Sequence, residues 1–317
     1  FYATAMPRGG VGTGVLVESH MGRPTKIEGN PQHPSSLGRS DSITQASVLN
    51  LYDPDRAEAV TNAGRISTWA GFLKNLEPVL ERQRLKNGSG LRILTETITS
   101  PALGDQLDAL SKTFPEAQWH QFEPDNRDNL RSGALLAFGE VVNTYYDFAK
   151  ADVVVSLDAD FATTGPGGTR YARDFASRRN IAGGDKEMNR LYALETIPSA
   201  TGSIADHRLA LNTAEIEHFA MALAHSLGIE LAQAPDVMQA DWVEPIARDL
   251  QRHKSSSIVV AGDQQSALVH ALAHAINQSL GNVGNTVHHT TPLEVNPVDQ
   301  GESLRSLAAD MSAGQVD

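Results

Sequence analysis

Apolar positions recur at two periods along this chain, and the switches between them sketch its elements. Gly14 to Ser19 (GVLVES) and Pro24 to Glu28 (PTKIE) flank His20-Met21-Gly22-Arg23, which predicts a short hairpin. Gly29-Asn30-Pro31 and His33-Pro34 then break the pattern. A short helix is predicted from Ser42, with Ile43, Ala46 and Leu49 on one face, Asp41 as its cap and Pro54 to stop it. Thr68 to Arg84 reads as a helix whose stripe is Trp69, Phe72, Leu73, Leu76 and Leu80, with a kink at Pro78.

From there strand and helix alternate. Leu91 to Ile98 is predicted as strand, Ser100-Pro101 opens a helix, and Gln118 to Phe122 is a second strand. Asn129 to Ala149 reads as helix. Ala151 to Phe161 (ADVVVSLDADF) is the strongest strand, continuous enough in apolar residues to be buried on both faces. Thr169 to Arg179 is predicted helical and Arg190 to Thr196 extended. Asn212 with Glu215 forms a capping-box pattern ahead of a stripe of Ile216, Phe219, Ala220, Leu223, Ala224 and Leu227, and Gly228 ends that helix. Ser257 to Ala261 is strand. Gly262-Asp263 leads from it into a helix over Gln265 to Leu280, ended by Gly281, and a last helical segment starts near Ser303. Strands separated by helices predict an α/β protein with mostly parallel sheets flanked by helices. The expected organisation is a β-hairpin and short-helix segment over residues 1–60, then an α/β region over 61–317 with room for two Rossmann-like subdomains.

Composition narrows the function classes. The chain has 317 residues, 40% hydrophobic and 20% charged, a globular balance. Lys and Arg number 26 against 38 Asp and Glu, a net charge of −12. Such a chain lacks the broad cationic footprint that nucleic acid or anionic lipid requires. No run approaches the roughly 18 apolar residues of a spanning helix, so no direct membrane insertion is expected. Cysteine is absent altogether. Within this chain that excludes disulfides, thiol nucleophiles, zinc–thiolate sites and cysteine-held iron–sulfur clusters. The chain starts at Phe1 without a basic-then-apolar leader and stops at Asp317 soon after its last helical segment, so it reads as a piece of a longer protein, truncated at the carboxyl end.

Four groups of residues could carry chemistry. Gly9-Gly10-Val11-Gly12-Thr13-Gly14 precedes a strand, whereas a dinucleotide fingerprint follows one and opens a helix, so a flexible approach to the strand is the favoured reading. Thr164-Gly165-Pro166-Gly167-Gly168 is better placed, after the strongest strand and before a helix, with Asp158 and Asp160 at the strand end. A glycine-rich connection with two solvated carboxylates is the plainer reading there. His270 and His274 have the i, i+4 spacing of a metal pair, yet helical phase puts them with Asn277 on the polar face. His288-His289 reads as a loop pair. No Gly-x-Ser-x-Gly elbow is present.

Several stretches resemble the large-subunit fold of the molybdopterin oxidoreductases. They are Gly22 to Pro34 (GRPTKIEGNPQHP), Leu51 to Arg56 (LYDPDR), Ala151 to Phe161 with Arg170 to Arg173 (RYAR), Glu195 through Thr201-Gly202 to Ala205-Asp206, and Leu280 to Gly284 (LGNVG). They run in order from about residue 10 to 290. In catalytic members of the family a cysteine follows the His-Pro shortly and completes a four-cysteine cluster. Here Ser35 to Ser42 (SSLGRSDS) stands in that place. The wording of Tyr2 to Met6 and Gly38 to Ala46 is most similar to one branch, the iron–sulfur subunit of the quinol-oxidising alternative complex III.

That resemblance implies a cofactor-free molybdopterin-type domain, with iron–sulfur clusters only in a further part of the parent protein. It also implies export to the extracytoplasmic, periplasmic face of a bacterial membrane. The implied partners are other subunits of a membrane-bound electron-transfer complex, and no catalytic or metal residue is expected in this chain. If remnants of a pterin site survive, they are Asp158, Glu195, Thr201 and Asp206, all expected near strand ends. The first reading is therefore a structural and docking domain of a respiratory complex. The alternatives are an active molybdopterin-dependent oxidoreductase, and a nucleotide-binding α/β enzyme resting on the Gly165 to Gly168 loop.

Overall fold

The computed structural model describes residues 1–180, 187–232 and 239–317. The chain divides into two compact units: residues 1–29, 42–126 and 294–317 form the first, and residues 30–41 and 127–293 the second.

The first unit opens with three antiparallel strands in the order β1 (Tyr2–Arg8), β2 (Val11–His20) and β3 (Arg23–Gly29). The predicted hairpin is β2–β3, with a register shift between Glu18 and Ser19. The glycine-rich segment is neither a phosphate loop nor a loose lead-in. Gly9 (φ +53°) and Gly10 (φ +73°) make the two-residue turn between β1 and β2, where both central residues need positive φ. Next come α1 (Ser42–Ala46), a 3₁₀ turn over Ser47–Leu51, and the small ladder of β4 (Thr61–Asn62) with β5 (Arg65–Ile66). Helix α2 (Trp69–Leu85) is capped by the Thr68 hydroxyl, which accepts from the Gly71 N–H. A parallel pair, β6 (Arg92–Thr95) and β7 (Gln118–Gln121), flanks α3 (Pro101–Thr113), itself capped by Ser100.

Two predicted faces of this unit come out otherwise. Ile43 and Leu49 are exposed, and the buried residue of α1 is Thr44. In α2 Trp69, Phe72 and Leu73 are exposed, while Gln83 is buried. The 3.6-residue period locates an apolar stripe, but not whether this chain covers it.

The second unit continues with α4 (Asp128–Phe138), β8 (Asn143–Tyr146), a 3₁₀ turn at Phe148–Lys150, β9 (Val153–Leu157), α5 (Gly168–Ser177) and β10 (Arg190–Glu195). Then follow α6 (Ala200–Ser203), β11 (His207–Ala210), α7 (Thr213–Ser226), α8 (Ala240–Arg252), β12 (Ser257–Ala261), α9 (Ala267–Ser279) and β13 (Val287–Thr290). The predicted helix over Asn129 to Ala149 stops at Phe138. Gly139 takes the left-handed conformation (φ +75°) and its N–H closes on the Leu135 carbonyl, after which the β-branched and aromatic residues pair as β8 with β13. The chain returns to the first unit with α10 (Gln300–Ser312).

Four parallel strands in the order β11-β10-β9-β12 form the centre of the second unit. All five residues of β9 and of β12 are buried. Alternation sends Val153, Val155 and Leu157 to one side, against Ile216, Phe219, Leu223, Ile246, Leu250 and Ile276 of α7, α8 and α9. Val154, Leu191 and Ile258 go to the other, against Phe148, Phe161 and Phe175. Both faces are covered, as parallel sheets require, and the mixed α/β architecture expected from the sequence is the one observed.

The open edge of β12 is closed by side chains of α9 and the turn after it. Asn277 (1% exposed) accepts from the Val259 N–H at 3.0 Å and donates to the Val259 carbonyl at 2.7 Å, pairing like one residue of a further strand. Asn282 accepts from the Ser257 hydroxyl at 3.1 Å, and the Thr286 hydroxyl donates to the Ser257 carbonyl at 2.6 Å. The polar side of α9 is thus turned inward, which corrects the expectation that His270, His274 and Asn277 face solvent. His270 and His274 are 4% and 8% exposed. Gly133 of α4 lies so close to His270 that any Cβ there would collide with it.

Candidate functional site

The carboxyl ends of the parallel strands are where α/β proteins gather ligands, and here they gather acidic side chains. β9 ends at Leu157, and Asp158 leaves it in the left-handed region (φ +60°), a conformation Asp tolerates better than most residues. Its carboxylate accepts from the Thr196 N–H at 2.8 Å, from the Thr196 hydroxyl at 3.1 Å, and from Gln265 Nε2 at 2.8 Å. It therefore ties the exits of β9, β10 and β12 together. Gly262 lets the exit of β12 approach so closely that any Cβ would strike the Asp158 carbonyl. Ser156 completes the exit, accepting from the Ala159 N–H at 3.0 Å and donating to the Ala159 carbonyl at 2.8 Å.

Two more carboxylates are held in the same way. Asp160 accepts from the Thr201 N–H at 2.9 Å and hydroxyl at 2.7 Å, and from the Thr163 hydroxyl. Glu195, 3% exposed, accepts from Ser199 Oγ at 2.6 Å and from the Arg208 guanidinium. Gly202 sits against the Glu195 carboxylate with no room for a Cβ. Arg127, just before α4, reaches Asp263 at 3.4 Å.

Asp158, Glu195 and Thr201 stand together at this carboxyl edge. Asp206 stands at the opposite end of the sheet, where it accepts from the Leu191 N–H at 2.8 Å at the start of β10 and pairs with Arg179. The Gly165 to Gly168 loop joins the edge to α5, and the N–H groups of Thr163 and Thr164 are satisfied by the Asp160 carbonyl. His288 and His289, expected in a loop, lie in β13.

Sequence reasoning missed Gln265, Thr196, Arg127 and Asp263. Gly262-Asp263 between strand and helix was a visible signal for the turn, but the partnership of Gln265 with Asp158 spans 107 positions and leaves no local trace.

Two polar atoms at this edge are buried without a partner: Gln265 Oε1 and His270 Nε2. The other side of the His270 ring is bonded to the Gly262 carbonyl, and burial lowers its pKa from 6.5, with Asp263 opposing. The ring is therefore neutral at pH 7. Among the described residues no group of three His, Asp or Glu side chains is placed to hold a metal ion. No thiol exists in the chain to bind a cluster. A cysteine-held iron–sulfur cluster therefore has no ligands in this chain. A pterin would also find Asp158, Glu195 and Asp206 already engaged by the chain's own donors.

No family model matches this chain, and no curated protein does. Among solved structures it is similar to acetylene hydratase from Pelobacter acetylenicus, with a TM-score of 0.60 and 13% identity over 95% of this chain and 47% of that one. The formyltransferase/hydrolase complex FhcABCD from Methylorubrum extorquens, solved with methylofuran, aligns with a TM-score of 0.42 and 14% identity over 67% of this chain and 56% of that chain. The first likeness shows the fold, an α/β arrangement shared with part of acetylene hydratase. The chain spans about half the length of acetylene hydratase.

Proposed function

We propose that this chain is a cofactor-free docking domain of the iron–sulfur subunit of a membrane-associated, quinol-oxidising electron-transfer complex. In this reading it stands on the periplasmic face of a bacterial membrane. It is not itself catalytic, and the clusters of the complex reside in another part of the parent protein. The observation that carries the reading is the closure of the carboxyl edge from within. Thr196, Gln265, Thr201, Thr163, Ser199 and Arg208 take up the three carboxylates. A fold kept while its ligand-facing groups bind one another serves as a platform. With a net charge of −12, membrane association comes through protein partners rather than anionic lipid. The test is to delete the matching region from the full-length gene and purify the membrane complex. Loss of assembly is expected. A complex that assembles and oxidises quinol at the usual rate defeats the reading.

A second reading, a nucleotide held at the same edge, is favoured by the orphaned Gln265 Oε1 and His270 Nε2. Calorimetric titration of the chain with ADP and GDP tests it. Binding lost in Gln265→Leu supports it, and no heat with either nucleotide removes it.

A further inference from the structure

Two histidine rings meet where α9, α4 and the β8–β13 ribbon pack together, with a third one helical turn away. Phe138, the last residue of α4, stacks edge-on against His274 with ring centroids 4.9 Å apart, and lies 4.9 Å from His289 of β13. The His274 and His289 rings are themselves 5.4 Å apart. One turn earlier on α9, His270 is pressed against Gly133 of α4. His289 Nδ1 is 3.1 Å from the Thr144 hydroxyl of β8, and His288 stacks on Tyr145 at 4.7 Å.

The charges around this seam are already committed elsewhere. From α4, Arg131 pairs with Asp128 at 2.8 Å, and Arg127 just before the helix pairs with Asp263. From α7, Glu217 accepts from the Ser266 hydroxyl at the start of α9. From the ribbon come Tyr145, Tyr146 and His288, and beyond β8 the Asp147–Lys150 pair at 2.9 Å. Asp263 faces His270 but is shared with Arg127, and the charges acting on His274 are those of His289 and His270.

We infer that this seam is an acid-sensitive joint: protonation of His274 and His289 releases α4 and β13 from α9 while the parallel sheet stays folded. Two cations about 5 Å apart beside the Phe138 ring, with no carboxylate among the described residues to share, repel each other and must be rehydrated. Packing against Gly133 and Phe138 has no such cost when the rings are neutral.

Burial and the neighbouring histidines hold His274 down at about 4, and His270 and His289 are lowered as well. A histidine in the opened segment returns to about 6.5. The folded values lie under the open ones, so the closed seam has its full stability above pH 6.5. That stability falls as the pH drops from there toward 4. The opening would also loosen Arg127, and with it the tie to Asp263 at the carboxyl edge.

Amide hydrogen exchange on the intact chain at pH 7.5 and 5.0, corrected for the intrinsic rate, is the test. Exchange in α4 and β13 is expected to speed up at least tenfold, with β9 and β10 unchanged, and the double variant His274→Gln/His289→Gln is expected to lose the response. An NMR titration of the wild-type rings should give His274 a midpoint well under 6.5, a readout that does not depend on the variant folding. The inference is overturned if His274 titrates near 6.5, if β9 loses protection together with α4, or if the double variant responds as the wild type does.

Discussion

In the second unit Leu157, Leu191, Leu194 and Ile258 are sealed between helices on both faces of one sheet. In the first unit the sealed residues near the ends of β6 and β7 include Gln121, Gln300 and Thr97, while Trp69 and Phe72 stand in water. There the Gln300 amide donates to the Thr97 hydroxyl at 2.9 Å and its carbonyl accepts from the Glu123 N–H at 2.8 Å. Gln121 accepts from the Ile98 N–H at 3.1 Å and donates to the Asn296 carbonyl. The Ser303 hydroxyl of α10 accepts from the Gln121 N–H at 3.1 Å. The second unit's sheet is sealed by apolar side chains on both faces, whereas near the ends of β6 and β7 directional bonds join segments far apart in sequence. The first kind of interior tolerates exchange among apolar shapes. The second fails when a single donor or acceptor is lost.

The contrast can be broken at several strengths. Leu194→Ala, which opens a cavity in a sheet with no slack, is expected to cost about 2–5 kcal/mol in urea unfolding. A cost under about 1 kcal/mol would mean the sheet repacks freely, and the dry half of the comparison would fail. Gln300→Leu keeps the size but strands the Glu123 N–H and leaves the Thr97 hydroxyl only its bond to the Glu123 carboxylate, and should cost about 1–3 kcal/mol. The signature to look for is faster amide exchange in β6, β7 and α10, with β9 unaffected. Asn212→Ala removes the side chain that accepts from the Glu215 N–H at 3.0 Å and should cost about 1 kcal/mol, read as a lower Tm. Smallest of all, Trp69→Ser with Phe72→Ser should change stability by no more than about 0.5 kcal/mol while improving solubility. A larger loss would show that α2 depends on that stripe within its own unit.

The same contrast explains what could be read from the chain beforehand. The buried strands Val153–Leu157, shorter than the predicted Ala151 to Phe161, and Ser257–Ala261 announce themselves as apolar runs, and the Asn212–Glu215 box and Ser100 caps fall where their chemistry puts them. Helix α8 is hard to read from the sequence, although Val243, Ile246, Ala247 and Leu250 hold helical spacing, because Pro245 interrupts the pattern. The inward turn of Asn277, His270 and His274 was illegible for a different reason. A polar residue on a helix answers to whatever lies opposite, and here that is an edge strand and a neighbouring helix brought in from far along the chain. At the carboxyl edge the carboxylates were legible, since Asp158, Asp160 and Glu195 close their strands. The donors that engage them were not, because Gln265 and Arg208 arrive from other elements.

The interrupted course of the first unit has a consequence for how the chain comes into being. Residues 1–29 and 42–126 are made before the bulk of the second unit, but α10, which supplies Ser303 to His120 and Gln121 and Asp310 to Arg92, is made after it. Most of the second unit lies between them in the sequence and needs nothing after residue 293 to complete its sheet. The nascent molecule therefore passes through a stage in which the later-made sheet is finished and the earlier-made strands still wait for α10. Any event that stalls or clips the chain after residue 293 would leave one native half and one unfinished half, with the unsatisfied amides of β7 exposed to whatever binds them first.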